Sequence, residues 1–423
     1  MDLSNVIGSR VDRTDRAAQL PPHPLPRALR RRGLIVLLAN TFLMWAGFFM
    51  IVPILSIHFV DQLGWEAAAI GVVLGTRQLV QQTLTVAGGA LADRLGAKGL
   101  IMIGLLIRVF AFTTMAWAAD FPTLLMLGVL AAIGGSMFDS PSAAAIAALT
   151  TDEERLQFYS LRGVMTGLGL ALGPLIGSVL LRVDFALVAY LSGAVFALSL
   201  IITWLFLPPV KIGSSEQTLT HGLQLALRDR PFVILIALLM GYWFLWVQLT
   251  LSVPLKAEAL TGEEGSVGAV YLVNSLITIF LQMPLMRWLE PRVRPMPATV
   301  IGLGLMALGL GSIAVAGSIV ALLVCIGVFS IGNLIALANQ NLVIANLAHP
   351  DARGSYFGVS SIALAFGGSL GNFVGSALYG ASVEHETPML PWLVIGAIGL
   401  LAAIGLWMLD RYQRRRPGRF SPS

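Results

Sequence analysis

The chain has 423 residues, of which 57% are hydrophobic and only 12% charged, with 44 glycines and a net charge of +5. Soluble domains run near ~45–50% apolar with glycine counted and ~25% charged, so this balance excludes a disordered chain and a soluble enzyme and points to lipid as the solvent. The one cysteine, Cys325, excludes a disulfide framework and a cysteine-built metal site.

A helix that crosses a bilayer needs ~20 mostly apolar residues. In chain order such stretches fall at 34–60, 67–92, 99–118, 122–148, 158–181, 185–207, 231–255, 267–289, 298–316, 318–347, 354–380 and 389–409. The expected fold is therefore an all-α integral membrane protein with 12 transmembrane helices. The longest connection, 208–230, divides them into bundles at 34–207 and 231–409. Residues 1–33 are polar, proline-bearing and arginine-rich, and 410–423 are again basic. With no small-residue cleavage signal after the first span, 1–33 reads as a cytoplasmic tail rather than a signal peptide.

Charge follows sidedness. The two tails and the even-to-odd loops hold 23 arginines and lysines, while the opposite loops hold Arg182 and Lys256. Positive residues stay on the cytoplasmic side, so both termini are expected there. The basic balance thus reports topology and contact with the anionic leaflet, not nucleic-acid binding.

The halves also echo each other. Trp45 to Pro53 parallels Trp246 to Pro254 at an offset of 201, and Ile70-Gly71 parallels Val267-Gly268 at 197. Gly169-x-x-x-Gly173-Pro174-x-x-Gly177-Ser178 parallels Gly367-x-x-x-Gly371-Asn372-x-x-Gly375-Ser376 at 198, the offset of Arg155 and Arg353. Parallel six-helix repeats are a transporter architecture, with substrate held near the midplane between halves.

Between spans two and three lies Gly89-Ala-Leu-Ala-Asp93-Arg94-Leu-Gly96-Ala-Lys98. Gly89 permits close helix approach, Gly96 a sharp turn, and Asp93 with Arg94 and Lys98 a charge lock. In span five, glycines four apart make a smooth packing groove, and Pro174 weakens the backbone ladder where a helix has to bend. These two segments resemble the loop 2–3 signature and the antiporter motif of the major facilitator superfamily, with Ala97 in place of a basic residue and Ser178 in place of a glycine. The resemblance extends over nearly all the membrane portion, through His58-Phe-Val-Asp61-Gln-Leu-Gly-Trp65, Gly75-Thr-Arg77-Gln78-Leu-Val-Gln81-Gln82, Phe138-Asp139-Ser-Pro141 and Arg353-Gly-Ser-Tyr-Phe-Gly358. It implies the major facilitator fold, a bacterial inner-membrane location and drug export coupled to proton entry, with no cofactor and a monomer as the default state.

Three charges lie well inside spans: Arg77, Arg108 and Asp139. Each costs about 2.5–3.5 kcal/mol on insertion scales and should face the bundle or water. Arg77 shares one helix face with Gln78, Gln81, Gln82 and Thr85, which reads either as a cavity wall or as a polar zipper between helices. Asp139 reads either as the coupling-proton carrier or as a brace for Arg94 or Lys98, the latter favoured by its depth. His58 and Asp61, near the outer end of span one, read as proton acceptors or as helix-end anchors. Asn40, Trp246, Gln248, Asn274 and Asn333 complete the candidate cavity lining. Trp45, Tyr242, Trp243 and Tyr271, with Met44 and Met50, suit a greasy pocket for flat hydrophobic or cationic drugs. The sequence holds no G-x-x-x-x-G-K-[ST] and no H-E-x-x-H, and no catalytic serine elbow stands out, so neither ATP drive, nor metal, nor an intramembrane enzyme or receptor is favoured. A metabolite or lipid carrier of the same fold is the remaining alternative to drug efflux.

Overall fold

In the computed structural model the described residues are 26–150, 152–209, 219–263, 265–348 and 353–414, with the side chains of 86–95, 140, 147, 152–153, 155–157, 159–160, 219–223 and 353–354 outside the description. These residues form fourteen α-helices. The first half comprises α1 (Arg27–Ser56), α2 (Ala67–Leu95), α3 (Ala97–Thr114), α4 (Phe121–Leu149), α5 (Asp152–Leu181) and α6 (Phe185–Phe206). The second comprises α8 (Arg230–Trp246) continued by α9 (Ser252–Thr261), then α10 (Ser266–Leu289), α11 (Pro295–Ser312), α12 (Ile319–Leu347), α13 (Arg353–Glu384) and α14 (Leu390–Arg414). Between the halves, α7 (Leu219–Arg228) is a short helix that buries Ala226 and packs on α13. The sequence reads that stretch as part of a plain linker.

Helix starts are set by short polar side chains that accept from the first free N–H groups. Asp120 caps α4 through Thr123 N, Asp184 caps α6 through Ala186 N, Asp229 caps α8 through Phe232 N, and Ser318 caps α12 through Ala321 N. Pro122 and Pro231 follow their caps in the first turn, where a missing N–H costs nothing. Eleven segments among the described residues are long and apolar enough to cross a membrane. The twelfth span, α2, is not among them, and its polar row Arg77, Gln78, Gln81 and Gln82 is the reason its composition differs.

Two spans depart from plain α-helix. After Pro53, which removes one ladder donor, span one ends in a widened π turn, Ile57–Gln62. Span seven breaks at Val247–Thr250, a tight 3-10 turn between α8 and α9. Gln248 fills the broken ladder: its Nε2 donates to Phe244 O at 2.9 Å and Gly371 O at 3.0 Å, and its Oε1 accepts from Ser252 Oγ at 2.7 Å.

The internal repeat has one packing register. Added Cβ atoms on Gly169, Gly173 and Gly177 of α5 would collide with the α1 backbone at Phe42 O, Ala46 O and Met50 O. Those on Gly367 and Gly371 of α13 would meet Met240 O and Phe244 O of α8, and that on Gly375 would strike the Gln248 side chain. Each of these positions is 198 residues from its counterpart. This register pairs Trp45 with Trp243, one turn before the Trp246 that the motif comparison suggests. The break in span seven accounts for the extra three residues ahead of Pro254.

The halves meet through α2 with α13, α5 with α10 and α1 with α9. These contacts lie toward the end away from the termini. Gly71 abuts Ser376, Gly75 abuts Phe373, Ser369 Oγ donates to Gly75 O at 3.0 Å, and Gly268 abuts Ser178. At the end that holds the termini, Arg30 pairs with Glu154 at 2.5 Å, Lys98 Nζ donates to Trp204 O at 2.8 Å, and Tyr356 donates to Asp229 at 3.0 Å. Each of those bonds joins helices of the same half.

Candidate substrate and proton site

The charges inside the spans form one cluster. Arg77 donates from Nη1 to Gln81 Oε1 at 2.7 Å and from Nη2 to Gln78 Oε1 at 2.9 Å. Gln81 then donates from Nε2 to Asp139 Oδ2 at 3.1 Å. Arg108, only 3% exposed, feels the same carboxylate, and the two guanidiniums also act on each other. Both stand over the Phe48 ring, Arg77 at 4.6 Å and Arg108 at 5.5 Å, while Phe112 and Phe196 flank Arg108. Cation–π contact of this kind partly replaces lost hydration. Gly135 makes the crossing possible, because a Cβ there would strike Arg108 Nη2 and stand 2.9 Å from Gln81 Cδ.

Asp139 therefore bonds Gln81 and lies near the buried arginines. The expected brace from Lys98 is not formed, since Lys98 reaches the last turn of α6 instead. Arg94, with Gly89 and Asp93, has its side chain outside the described residues. Gly96 turns the chain at φ 76°, a left-handed value that suits glycine. Pro174 sits inside α5 beside the Gly173 seam.

Several cavity candidates are fully engaged in packing. Asn40, with no exposed surface, donates to Thr203 Oγ1 at 2.7 Å and accepts from Ser199 Oγ at 2.9 Å, so in this conformation it is a zipper between α1 and α6 and lines no opening. Gln248 serves the break in span seven, as described. Asn274 accepts from Ser330 Oγ at 2.9 Å, and Asn333 accepts from Tyr242 Oη at 2.6 Å. Polar side chains between membrane helices satisfy one another in this way.

Aromatic rings span the seam between halves. Phe49 of α1 stacks on Trp45 and meets Trp246 edge-on at 6.3 Å and Tyr271 at 6.0 Å. Tyr271 donates to Leu249 O at 2.5 Å. Gln78 lies against Gly368 of α13, so the charged cluster borders the same seam. His58 stacks on Phe185 with centroids 4.1 Å apart and bonds Gln62 through Nδ1 at 2.6 Å, the packing of a helix-end anchor. Asp61 lies beside the carboxyl of Glu258 on α9, and Tyr379 of α13 stands beside both. Glu258, Tyr379, Phe48 and Phe49 are absent from the sequence-derived set. Glu258 lies just past the seventh apolar stretch, 231–255, where a charge is ordinary, and rings at apolar positions give no signal.

Gly367-Gly368-Ser369-Leu370-Gly371 has the spelling of a serine elbow. It lies inside α13, and Ser369 Oγ donates to Ala365 O at 2.6 Å as well as to Gly75 O. An elbow needs an exposed strand-to-helix turn, and this serine is a helix-packing residue.

A helical bundle of this pattern, two six-helix halves meeting at one end, is that of a membrane transporter. The family model described as Major Facilitator Superfamily matches residues 37–372 and 253–422, and the chain belongs to that superfamily. It is 39% identical over 389 residues to the multidrug resistance protein MdtH of Cronobacter sakazakii, covering 92% of this chain and 97% of that one. It is 38% identical over 393 residues to MdtH of Klebsiella pneumoniae, covering 93% and 98%. Among solved structures, a bacterial homologue of the human lysosomal transporter Spinster, in an inward-facing and unoccupied conformation, superposes with a TM-score of 0.77 at 16% identity, covering 93% and 99%. The nucleoside transporter NupG superposes at 0.71 with 14% identity, covering 90% and 99%. The chain is thus a multi-pass membrane transporter and not an enzyme.

Proposed function

We propose that this transporter exports small, largely apolar compounds across a bacterial inner membrane as protons enter, working as a monomer by alternating access. The observation behind the reading is the seam itself. Two halves with a common packing register touch at one end, with an aromatic surface and a buried charged cluster alongside. The extended similarity to proteins named for multidrug resistance supports drugs as the cargo class.

With both termini in the cytoplasm, the closed end faces outside and the seam opens inward. A compound enters from the cytoplasm or inner leaflet and rests against Phe49, Trp246 and Tyr271. Rocking of the halves then exposes it outside. Asp139, as counter-ion to two arginines, suits a positioning role in the cluster. Proton carriage falls to Asp61 with Glu258 at the outer end, and His58 supports that helix end by packing. The cationic half of the cargo expectation has little support in the described cluster, where two guanidiniums already compete for one carboxylate.

Inverted vesicles from an efflux-deficient host test the coupling. An imposed inward-acidic gradient should drive uptake of an apolar fluorescent compound and release protons on its addition. Uptake indifferent to the gradient would remove proton antiport from the reading, and an unchanged susceptibility panel would remove drug export.

A further inference from the structure

We propose that Arg77 anchors one acidic group of the transported compound, so that the preferred cargo combines a flat apolar body with a single carboxylate or sulfonate. This rests on the export reading above and narrows it to a substrate class.

The inference starts from the charge balance. The described cluster holds two guanidiniums, Arg77 and Arg108, and one carboxylate, Asp139. Arg77 is 8% exposed, and Nε of both arginines is buried without a hydrogen-bond partner. Asp139 enters the Arg77 network only through the neutral amide of Gln81, and the other Arg77 donor is held by the neutral amide of Gln78. A buried cation in surplus is expensive in a low-dielectric bundle and is best relieved by an anion.

Position supplies the rest. Gln78 packs on Gly368 of the opposite half, so Arg77 stands one side chain from the seam. If the Gln78 amide swings aside, a carboxylate can take its place on the planar guanidinium in a two-pronged bond. Phe48 lies under Arg77, and its neighbour Phe49 begins the aromatic surface that continues through Trp246 and Tyr271. An acidic group on Arg77 would thus leave an attached ring system near those rings. A cationic compound in the same place would face the surplus positive charge.

The test is binding, in the full-length purified protein in lipid nanodiscs and chloride-free gluconate buffer, with 1-naphthoate, 1-naphthamide and 1-naphthylmethylammonium as probes. Quenching of tryptophan fluorescence reports occupancy. The carboxylate should bind about tenfold tighter than the amide, and the ammonium more weakly than the amide. Arg77→Gln should abolish the advantage of the carboxylate over the amide, with folding read separately from the thermal unfolding midpoint. Asp139→Asn should tighten naphthoate, and this decides the matter if Arg77→Gln fails to fold. An ammonium probe bound as tightly as the carboxylate, a naphthoate advantage that survives Arg77→Gln, weaker naphthoate binding in Asp139→Asn, or no binding of any probe would each overturn the assignment. A clear naphthoate preference without gradient-driven movement in vesicles would instead sink the export reading and leave the Arg77 site standing.

Discussion

Asp61, at the end of the first span, and Glu258, on α9 of the opposite half, stand carboxyl beside carboxyl across the seam. Two carboxyl groups so placed can hydrogen-bond only with a proton between them, and without it they face each other as like charges. The contact crosses the seam at its closed end, where Tyr379 stands beside both acids and Lys256 lies two residues away on α9. Alkalinisation should therefore part the outer ends, and Asp61→Asn, which brings its own donor, should keep them together across the same pH range. Spin labels at Leu63→Cys and Val383→Cys, exposed on opposite halves, with Cys325 replaced by serine, would report the distance. A pH-independent distance in the parent protein would contradict this.

The α1–α5 seam depends on absent side chains. Gly173→Ala places a Cβ 2.6 Å from Ala46 O, whereas Gly163 on the same helix has open space around its Cβ position. Overpacking of this kind costs about 1–3 kcal/mol, while a glycine-to-alanine change in a free helix position gains about 0.5–1 kcal/mol. Thermal unfolding in detergent should show a lower midpoint for Gly173→Ala and an equal or higher one for Gly163→Ala. Equal midpoints would mean that the seam tolerates side chains.

Asn40→Leu should weaken the protein without altering which compounds it handles. The substitution leaves the Ser199 hydroxyl and one Thr203 partner without Asn40, and such interhelical bonds are worth about 0.6–1.7 kcal/mol in membranes. A changed resistance profile at normal expression would instead return Asn40 to the substrate path.

Gly135→Ala should disturb the charged cluster from a position that bonds nothing itself. Its Cβ would displace Arg108 and press on Gln81, loosening the link between Gln81 and Asp139. We expect naphthoate to bind more tightly, in the direction expected of Asp139→Asn, with naphthamide binding little changed. Parallel loss of both probes would indicate a folding defect rather than a rearranged cluster.

Legibility in the sequence differs by level. Hydropathy marks eleven spans as apolar along their length, α2 with its polar row is read as the twelfth from its place between them, and small residues at a constant offset reveal the repeat. The break in span seven escapes, since Val247–Thr250 contains neither proline nor glycine and Gln248 repairs the ladder from within. Arg77 and Asp139 are visible as charges in apolar stretches, yet their link runs through Gln81, 58 residues from Asp139, and no local spacing encodes that pairing. Asn40 looked available because an uncharged amide gives no hint of its partners. Glu258 was passed over because an acid near a helix end is ordinary until the opposite half brings Asp61 to it.

The glycines of α5 and α13 have a further mechanical meaning. Each of these helices is fastened along one face to its own half, α5 to α1 and α13 to α8, and touches the other half with another face. There the neighbours are small again: Gly268 under Ser178, and Gly71 and Gly75 under Ser376 and Phe373. Under the proposed rocking of the halves, each helix would act as a bearing race, fixed on its inner side and smooth on its outer side. Wear in such a device is asymmetric. A bulky residue on the fastened face loosens a half, while one on the sliding face jams the stroke and leaves each half intact.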